Sequence, residues 1–441
     1  MTTPAPGRTR SVAANVVRGS IGNLIEWYDW YAYTAFAIYF AQVFFPKGDA
    51  TAQLLNTAGI FAVGFLMRPL GGWLLGRYAD RFGRRAALTL SVLMMAAGSL
   101  IITFTPGYAT IGIAAPLLLL LARLGQGLSL GGEYATSATY LSEVATPGKR
   151  GYYSSYQYVT LTSGQLLALG VQIVLQQFLT AAEMKSWGWR VAFGLGAVFA
   201  LVVMYLRATM DESESYRKAA GTDDGRGARG TIRALLNHPR EVLLVFGLTM
   251  GGTVAFYTYT TYLQKFMVNT GGISVEAAAW INFLALLVFV ILQPVVGALS
   301  DRIGRRPILI TFGIAGTLAT VPLLTLLAHT KNVFGAFALM MFALLIVTCY
   351  TSINAIVKAE LFPTRVRALG VGLPYALAVA IFGGTAEYIA LWLKKAGVES
   401  LFFWYVAGCI LVSLIVYATM RETSRESPID EHESSSSPVS S

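Results

Sequence analysis

Long apolar runs, separated by short polar and mostly basic connections, make up nearly the whole chain. A helix that crosses a bilayer needs about 20 mostly apolar residues, up to about 25 when tilted. Twelve stretches meet that requirement: Gly19–Phe45, Leu54–Ala79, Ala86–Thr105, Ile113–Leu141, Gly151–Leu179, Gly188–Ala208, Glu241–Val268, Ala277–Ser300, Pro307–Ala328, Val333–Lys358, Ala368–Lys394 and Leu401–Met420. Within lipid every backbone N–H and C=O must pair inside its own segment, so each stretch is predicted to be a helix. The pattern predicts an all-α, polytopic membrane protein with twelve transmembrane helices.

Composition narrows the class further. Of 441 residues, 55% are apolar before 44 glycines are counted, and only 13% are charged. Soluble folds need about twice that share of charge to coat their surface, which excludes a soluble enzyme and a disordered chain. The formal net charge of +10 would point to nucleic acid in a soluble protein, but in a membrane protein it reports orientation. With the N-terminus in the cytoplasm, 24 of the 33 Lys and Arg fall on that side and seven on the other. Both termini are therefore expected to be cytoplasmic. The polar start followed by a long apolar run without a cleavage signature reads as a first span, not a removed leader. Cys349 and Cys409 lie in apolar runs and read as structural thiols rather than a disulfide.

The longest polar connection, residues 209–240, splits the spans six and six. It delimits a tail (1–18), a first six-helix bundle (19–208), a second (241–420) and a polar tail (421–441) expected to be disordered. The halves repeat one another. Residues 76–85 read GRYADRFGRR and residues 297–306 read GALSDRIGRR; six of the ten positions match, 221 residues apart. Glu143 to Arg150 closes the fourth span and Glu360 to Arg367 closes the tenth, with the same spacing. Two copies in equivalent places predict pseudo-symmetric bundles.

With these motifs the chain resembles the major facilitator superfamily over essentially all twelve spans. GNLIEWYDWYAY (22–33), FLMRPLGGWLLGR (65–77), GGEYATSATYLSEVA (131–145), WGWRVAF (187–193) and KAELFPTRVRALGVGLPYA (358–376) resemble the metabolite:proton symporters. Among these the bacterial α-ketoglutarate permeases are the most similar, as a group. The resemblance implies a secondary transporter in a bacterial inner membrane, importing a small carboxylate with protons by alternating access. It also implies that the twin loops form ionic latches: Gly76, Asp80 and Arg84 with Glu143, and Gly297, Asp301 and Arg305 with Glu360. The alternative is a topology signal that binds lipid headgroups.

No phosphate-binding loop, HExxH, GxSxG or metal-ligand spacing occurs, so ATP-driven pumping, catalysis, a cofactor and a metal are not expected. The chemistry rests on charges left inside the spans: Glu26, Asp29, Glu133 and Glu387, with Arg68 and Arg123. Each costs about 2.5–3.5 kcal/mol at a helix centre and needs a partner or a task. The three histidines fall outside the span centres, so carboxylates must carry any proton. Glu26, Asp29 and Tyr33 share one stripe of the first span. Asp29 or Glu26 is a candidate proton site whose link to Arg68 changes during transport; the alternative is a plain ion pair tightening the first two spans. Arg123 offers a planar fork suited to a substrate carboxylate, against a structural pair with Glu133 or the first span. Glu133 is a second proton site or a packing partner. Gln157, Gln165, Tyr257, Tyr259 and Tyr375, with Tyr33, are candidates to line a substrate cavity. Lys265 is expected to snorkel to water, and Glu387 either pairs with it or lines a path. A monomer is expected, with a small carboxylate, protons and lipid as partners and no nucleic acid. The competing readings are a symporter of a zwitterion such as proline or glycine betaine, and a transporter-like nutrient sensor.

Overall fold

The computed structural model describes residues 7–82, 84–131, 145, 148–208, 235–363 and 366–424, with side chains described from Leu24 onward and not at 76, 79–81, 84, 85, 88 or 206–208. The expected spans appear as α1 (Gly7–Phe44), α2 (Ala50–Phe82), α3 (Arg84–Phe104), α4 (Ala114–Leu130), α5 (Arg150–Phe178) and α6 (Trp189–Ala208). They continue as α7 (Pro239–Asn269), α8 (Val275–Ile303), α9 (Arg305–His329), α10 (Val333–Glu360), α11 (Arg367–Lys395) and α12 (Ser400–Thr419). Nine of the described helices are long and apolar enough to cross a membrane, and α3 and α4 contribute shorter apolar stretches. The outer faces are apolar, as at Leu121, Ile291 and Leu318, while ionisable groups lie inside, the arrangement a lipid solvent imposes.

Within the first six helices α3 packs on α6, α1 on α5, α2 on α4, α3 on α4 and α1 on α6. Each pairing recurs six helices later: α9 on α12, α7 on α11, α8 on α10, α9 on α10 and α7 on α12. The most extensive contacts between the halves among the described residues, α5 with α8 and α2 with α11, are exchanged by the pseudo-twofold.

Glycines set how deeply α2 and α4 interlock. A Cβ on Gly71 would overlap the Leu128 backbone, one on Gly127 the Gly64 carbonyl, and one on Gly131 the Arg68 carbonyl. This close backbone crossing, usual for small residues in membrane helices, sets Arg68 of α2 and Arg123 of α4 on either side of Trp30.

Three interruptions are not foreshadowed by the apolar pattern. α7 widens into a π-turn at Thr258–Tyr262 and α11 does so at Val379–Gly383. α10 ends its first part at Thr351 and restarts at Asn354. Such breaks disturb the i→i−4 ladder and concentrate where helices line functional cavities.

Candidate functional site

Arg123 is fully buried in α4. Its guanidinium carbon lies 4.0 Å from the Trp30 ring centre, 4.3 Å from Tyr33 and 5.3 Å from Phe61. Trp30 and Tyr33 come from α1 and Phe61 from α2, so aromatic faces supply the cation's surroundings. The Tyr33 hydroxyl donates to the Thr57 carbonyl at 2.9 Å.

A hydrogen-bonded line joins Arg123 to Asp29. Arg123 Nη1 donates to Gln126 Oε1 at 2.9 Å, Gln126 Nε2 donates to Ser99 Oγ at 3.0 Å, and Ser99 Oγ donates to Asp29 Oδ2 at 2.7 Å. Every donor points toward the carboxylate, so an ionised Asp29 polarises the line as far as the guanidinium. Asp29 Oδ1, Arg123 Nε and Arg123 Nη2 have no partner among the described residues. Gly196 of α6 closes over Asp29 so tightly that a Cβ there would overlap Oδ1.

Arg68 occupies the opposite side of Trp30, 4.3 Å from that ring, 4.0 Å from Phe65 and 5.1 Å from Trp27. It makes no ion pair with Glu26 or Asp29 among the described residues; aromatic rings and the Tyr257 hydroxyl take the place of the expected carboxylate. Arg68 and Tyr375 line a small cavity of about 20 Å³, with Trp27, Leu130, Gly372 and Val379. That space holds little more than one water. The Tyr375 hydroxyl neighbours Tyr158, Tyr257 and Arg68. Lys358 of α10 is fully buried, with Nζ 4.0 Å from the Tyr375 ring centre and donating to Asn354 Oδ1 at 2.8 Å.

The structure thus gathers Asp29, Tyr33, Arg68 and Arg123 inside the first half, and Arg68 meets Tyr257 and Tyr375 of the second. Gln157 is buried in α5. Gln165 links the halves, its Nε2 donating at 2.6 Å to the Thr260 carbonyl in the α7 π-turn. Tyr259 turns into the second half, its hydroxyl 2.6 Å from Thr320. Glu26 is buried on α1. Glu133, Glu143 and the side chains at Gly76, Asp80 and Arg84 lie outside the described residues. Lys265 departs from expectation: it does not reach water but is buried against Glu387 at 2.5 Å, because α11 and α7 close around it. Ser99, Gln126 and Lys358 escaped the reading of the sequence. Gln126 carried one usable signal, since it sits three residues after Arg123 on the same helix face.

The second loop is hydrogen-bonded to the other half at the end of the bundle carrying the basic motifs. Asp301 accepts the backbone N–H of Gly151 at 2.8 Å and of Tyr152 at 2.9 Å, so its carboxylate caps α5 of the other half. Arg305 holds Asp301 at 2.8 Å and reaches Glu360 at 3.5 Å. Gly297 faces Gly151 closely enough that a Cβ on either would overlap the other's carbonyl. Beyond α12, Glu422 accepts the backbone N–H groups of Arg305 at 2.8 Å and Arg306 at 3.0 Å, and Thr423 donates to Glu360 at 2.6 Å. Burial alone would push the Glu422 carboxyl up. The Arg305 N–H, the Ser424 hydroxyl and the Arg306 and Ser424 N–H groups outweigh it and hold the carboxyl below the usual range. Among the described residues no trio of His, Cys, Asp or Glu stands ready for a metal ion.

Known proteins carry the same plan. The family model of the Major Facilitator Superfamily matches residues 19–373 and 262–440. The alpha-ketoglutarate permease of Escherichia coli K12 is 53% identical over 401 residues, 91% of this chain and 92% of its own. A citrate-proton symporter of Klebsiella pneumoniae is 32% identical over 88% of this chain and 87% of its own. A proline/betaine transporter of Salmonella typhimurium is 30% identical over 92% and 83%. Among solved structures, the D-xylose-proton symporter superposes with a TM-score of 0.73 over 93% of this chain and 98% of its own, at 18% identity. The repeated six-helix pairing, the twin basic loops and this full-length similarity have one explanation: the chain belongs to the Major Facilitator Superfamily.

Proposed function

We propose that this protein is a proton-coupled symporter that takes up a small dicarboxylate, α-ketoglutarate, by alternating access, with both termini in the cytoplasm. The observation that carries the reading is the buried line Asp29–Ser99–Gln126–Arg123. A carboxyl in a low-dielectric site takes a proton readily, and a neighbouring cation opposes that. When a substrate anion settles in the cationic core beside Arg123, its charge offsets that cation's pull on Asp29 and Asp29 takes up a proton. Substrate and proton then load together, and the halves rock around them. The 53% identity to a protein named for α-ketoglutarate supports that substrate. A zwitterion needs an open aromatic cage for its ammonium, whereas the cage of Trp30, Tyr33 and Phe61 is filled by Arg123.

The test is uptake into proteoliposomes under an inward proton gradient, with labelled α-ketoglutarate, citrate and glycine betaine. Saturable, gradient-driven accumulation of α-ketoglutarate is expected. Asp29→Asn is expected to abolish accumulation while leaving exchange of internal for external substrate. Accumulation of betaine alone, or full accumulation by Asp29→Asn, would overturn the reading.

A further inference from the structure

We propose that Arg68 and Lys358 form a two-point clamp for the two carboxylates of one substrate, with Tyr375 as the partition between them. This rests on the reading of a dicarboxylate symporter and adds which groups select for the second acid. The structure carries an alternating row of cations and rings that crosses from one half into the other. Arg123 and Arg68 lie on either side of Trp30, at 4.0 and 4.3 Å. Arg68 and Tyr375 line one cavity, and Lys358 Nζ stands 4.0 Å over the Tyr375 ring. Arg68 belongs to α2 and Lys358 to α10, so the row ends on opposite halves.

Chemistry divides the labour. Arg123 is tied through Gln126 and Ser99 to Asp29, which commits it to the proton. Arg68 keeps Nε and Nη2 without a partner among the described residues, and Arg68 lines a cavity that Tyr375 also lines. A guanidinium fork takes a carboxylate by two parallel bonds, and an ammonium takes one as a point charge. The cavity is too small for a five-carbon diacid while the Tyr375 ring stands in it. Rotation of that ring joins the Arg68 side to the Lys358 side, and a molecule with an acid at each end spans them. A monocarboxylate or a betaine satisfies only one end, and the clamp selects against it.

The experiment measures equilibrium binding to the purified full-length protein, with labelled α-ketoglutarate displaced by unlabelled α-ketoglutarate or by 2-oxopentanoate, which has the same chain length and one acid. Lys358→Gln is expected to lower the preference for the diacid over the monoacid tenfold or more. Lys358→Arg, which keeps the charge, is expected to stay within about threefold of wild type for α-ketoglutarate. A wild type that does not bind α-ketoglutarate sinks the parent reading. A wild type that binds it, with Lys358→Gln unchanged in preference, sinks the clamp alone. Equal loss for diacid and monoacid in Lys358→Gln also overturns the clamp, since it marks a packing role. If Lys358→Gln elutes as aggregate, Lys358→Arg decides: retained diacid binding supports the clamp and its loss refutes it.

Discussion

Replacing Asp301 by Asn is expected to loosen one end of the transporter without unfolding it. Only bonds that cross between the halves resist opening, so the Arg305 contact, internal to the second half, drops out of the comparison. What crosses is the pair of backbone donors from Gly151 and Tyr152, at 2.8 and 2.9 Å, to a carboxylate at the start of α5. Hydrogen bonds to a charged acceptor contribute about 1.5–3 kcal/mol each, and a neutral one about 1 kcal/mol. Asn keeps one acceptor, turns an NH2 toward the other donor and gives up the charge that favours a helix N-terminus. The closed arrangement should lose about 2–5 kcal/mol, a shift of about 30- to 4,000-fold toward the open end. Ser155 of α5 is fully buried, its Cβ against Gly297, and serves as the reporter. A cysteine placed there, with Cys349 and Cys409 replaced by serine, should react with a soluble maleimide faster in the Asp301→Asn background by at least tenfold. Labelling within twofold of the parent, together with unchanged uptake, would refute the assignment of Asp301 as the inter-half latch.

Three further outcomes follow from buried contacts. Lys265→Met leaves Glu387 buried without its cation and should cost about 3–5 kcal/mol, read as a lower melting temperature in detergent. Adding Glu387→Leu should restore most of it, and a double variant no better than the single one would contradict the pairing. Glu422 titrates below its unfolded value, so its capping of α9 is fully present above about pH 4.5 and is lost as the pH falls through the lower, folded value. Glu422→Gln should therefore melt below wild type at neutral pH and match it in strong acid; a gap that persists in acid points to packing instead. Gly196→Ala should push Asp29 off Ser99 and cut proton-driven accumulation about tenfold, with overpacking of about 1–3 kcal/mol. Wild-type accumulation there would mean that α6 yields instead.

The spans were legible because lipid permits no alternative: a run of about 20 apolar residues has to be a helix. Expected and observed ends agree within a few residues from α2 to α12, except that the expected end of the fourth span, Leu141, lies outside the described residues, and α1 reaches back to Gly7 through residues too polar to count as span. The π-turns and the break at Ser352 were not legible, since neither disturbs the apolar pattern. Asp301 was readable from the duplicated motif, yet its partners were not. They are backbone N–H groups of Gly151 and Tyr152, and every residue but proline owns one. Lys265 was misjudged because depth along its own helix says nothing about α11 arriving beside it with Glu387. Lys358 was taken as the end of a span, and its burial follows from Tyr375 folding over it. Ser99 looked like an ordinary small residue of α3 until α1 and α4 brought an acid and an amide to it.

The two ends of the bundle are held by different chemistry, and the difference bears on which way an empty transporter rests. At the basic-loop end the link across the halves is a carboxylate on two backbone donors, reinforced by the touching backbones of Gly151 and Gly297. Toward the other end the links are neutral: Gln264 Nε2 donates to Gln172 Oε1 at 3.1 Å, braced by Asn282 on Gln264 at 3.3 Å. Charge-assisted bonds run about twice as strong as neutral ones. The amide end is therefore expected to give way first, which on the proposed orientation would open the protein to the outside. Importing a scarce anion requires that order. On the proposed mechanism a dianion arriving from outside brings its two negative charges to the buried row of Arg123, Arg68 and Lys358. Binding then draws the halves together at the amide end, and only that closure strains the stronger Asp301 latch toward release.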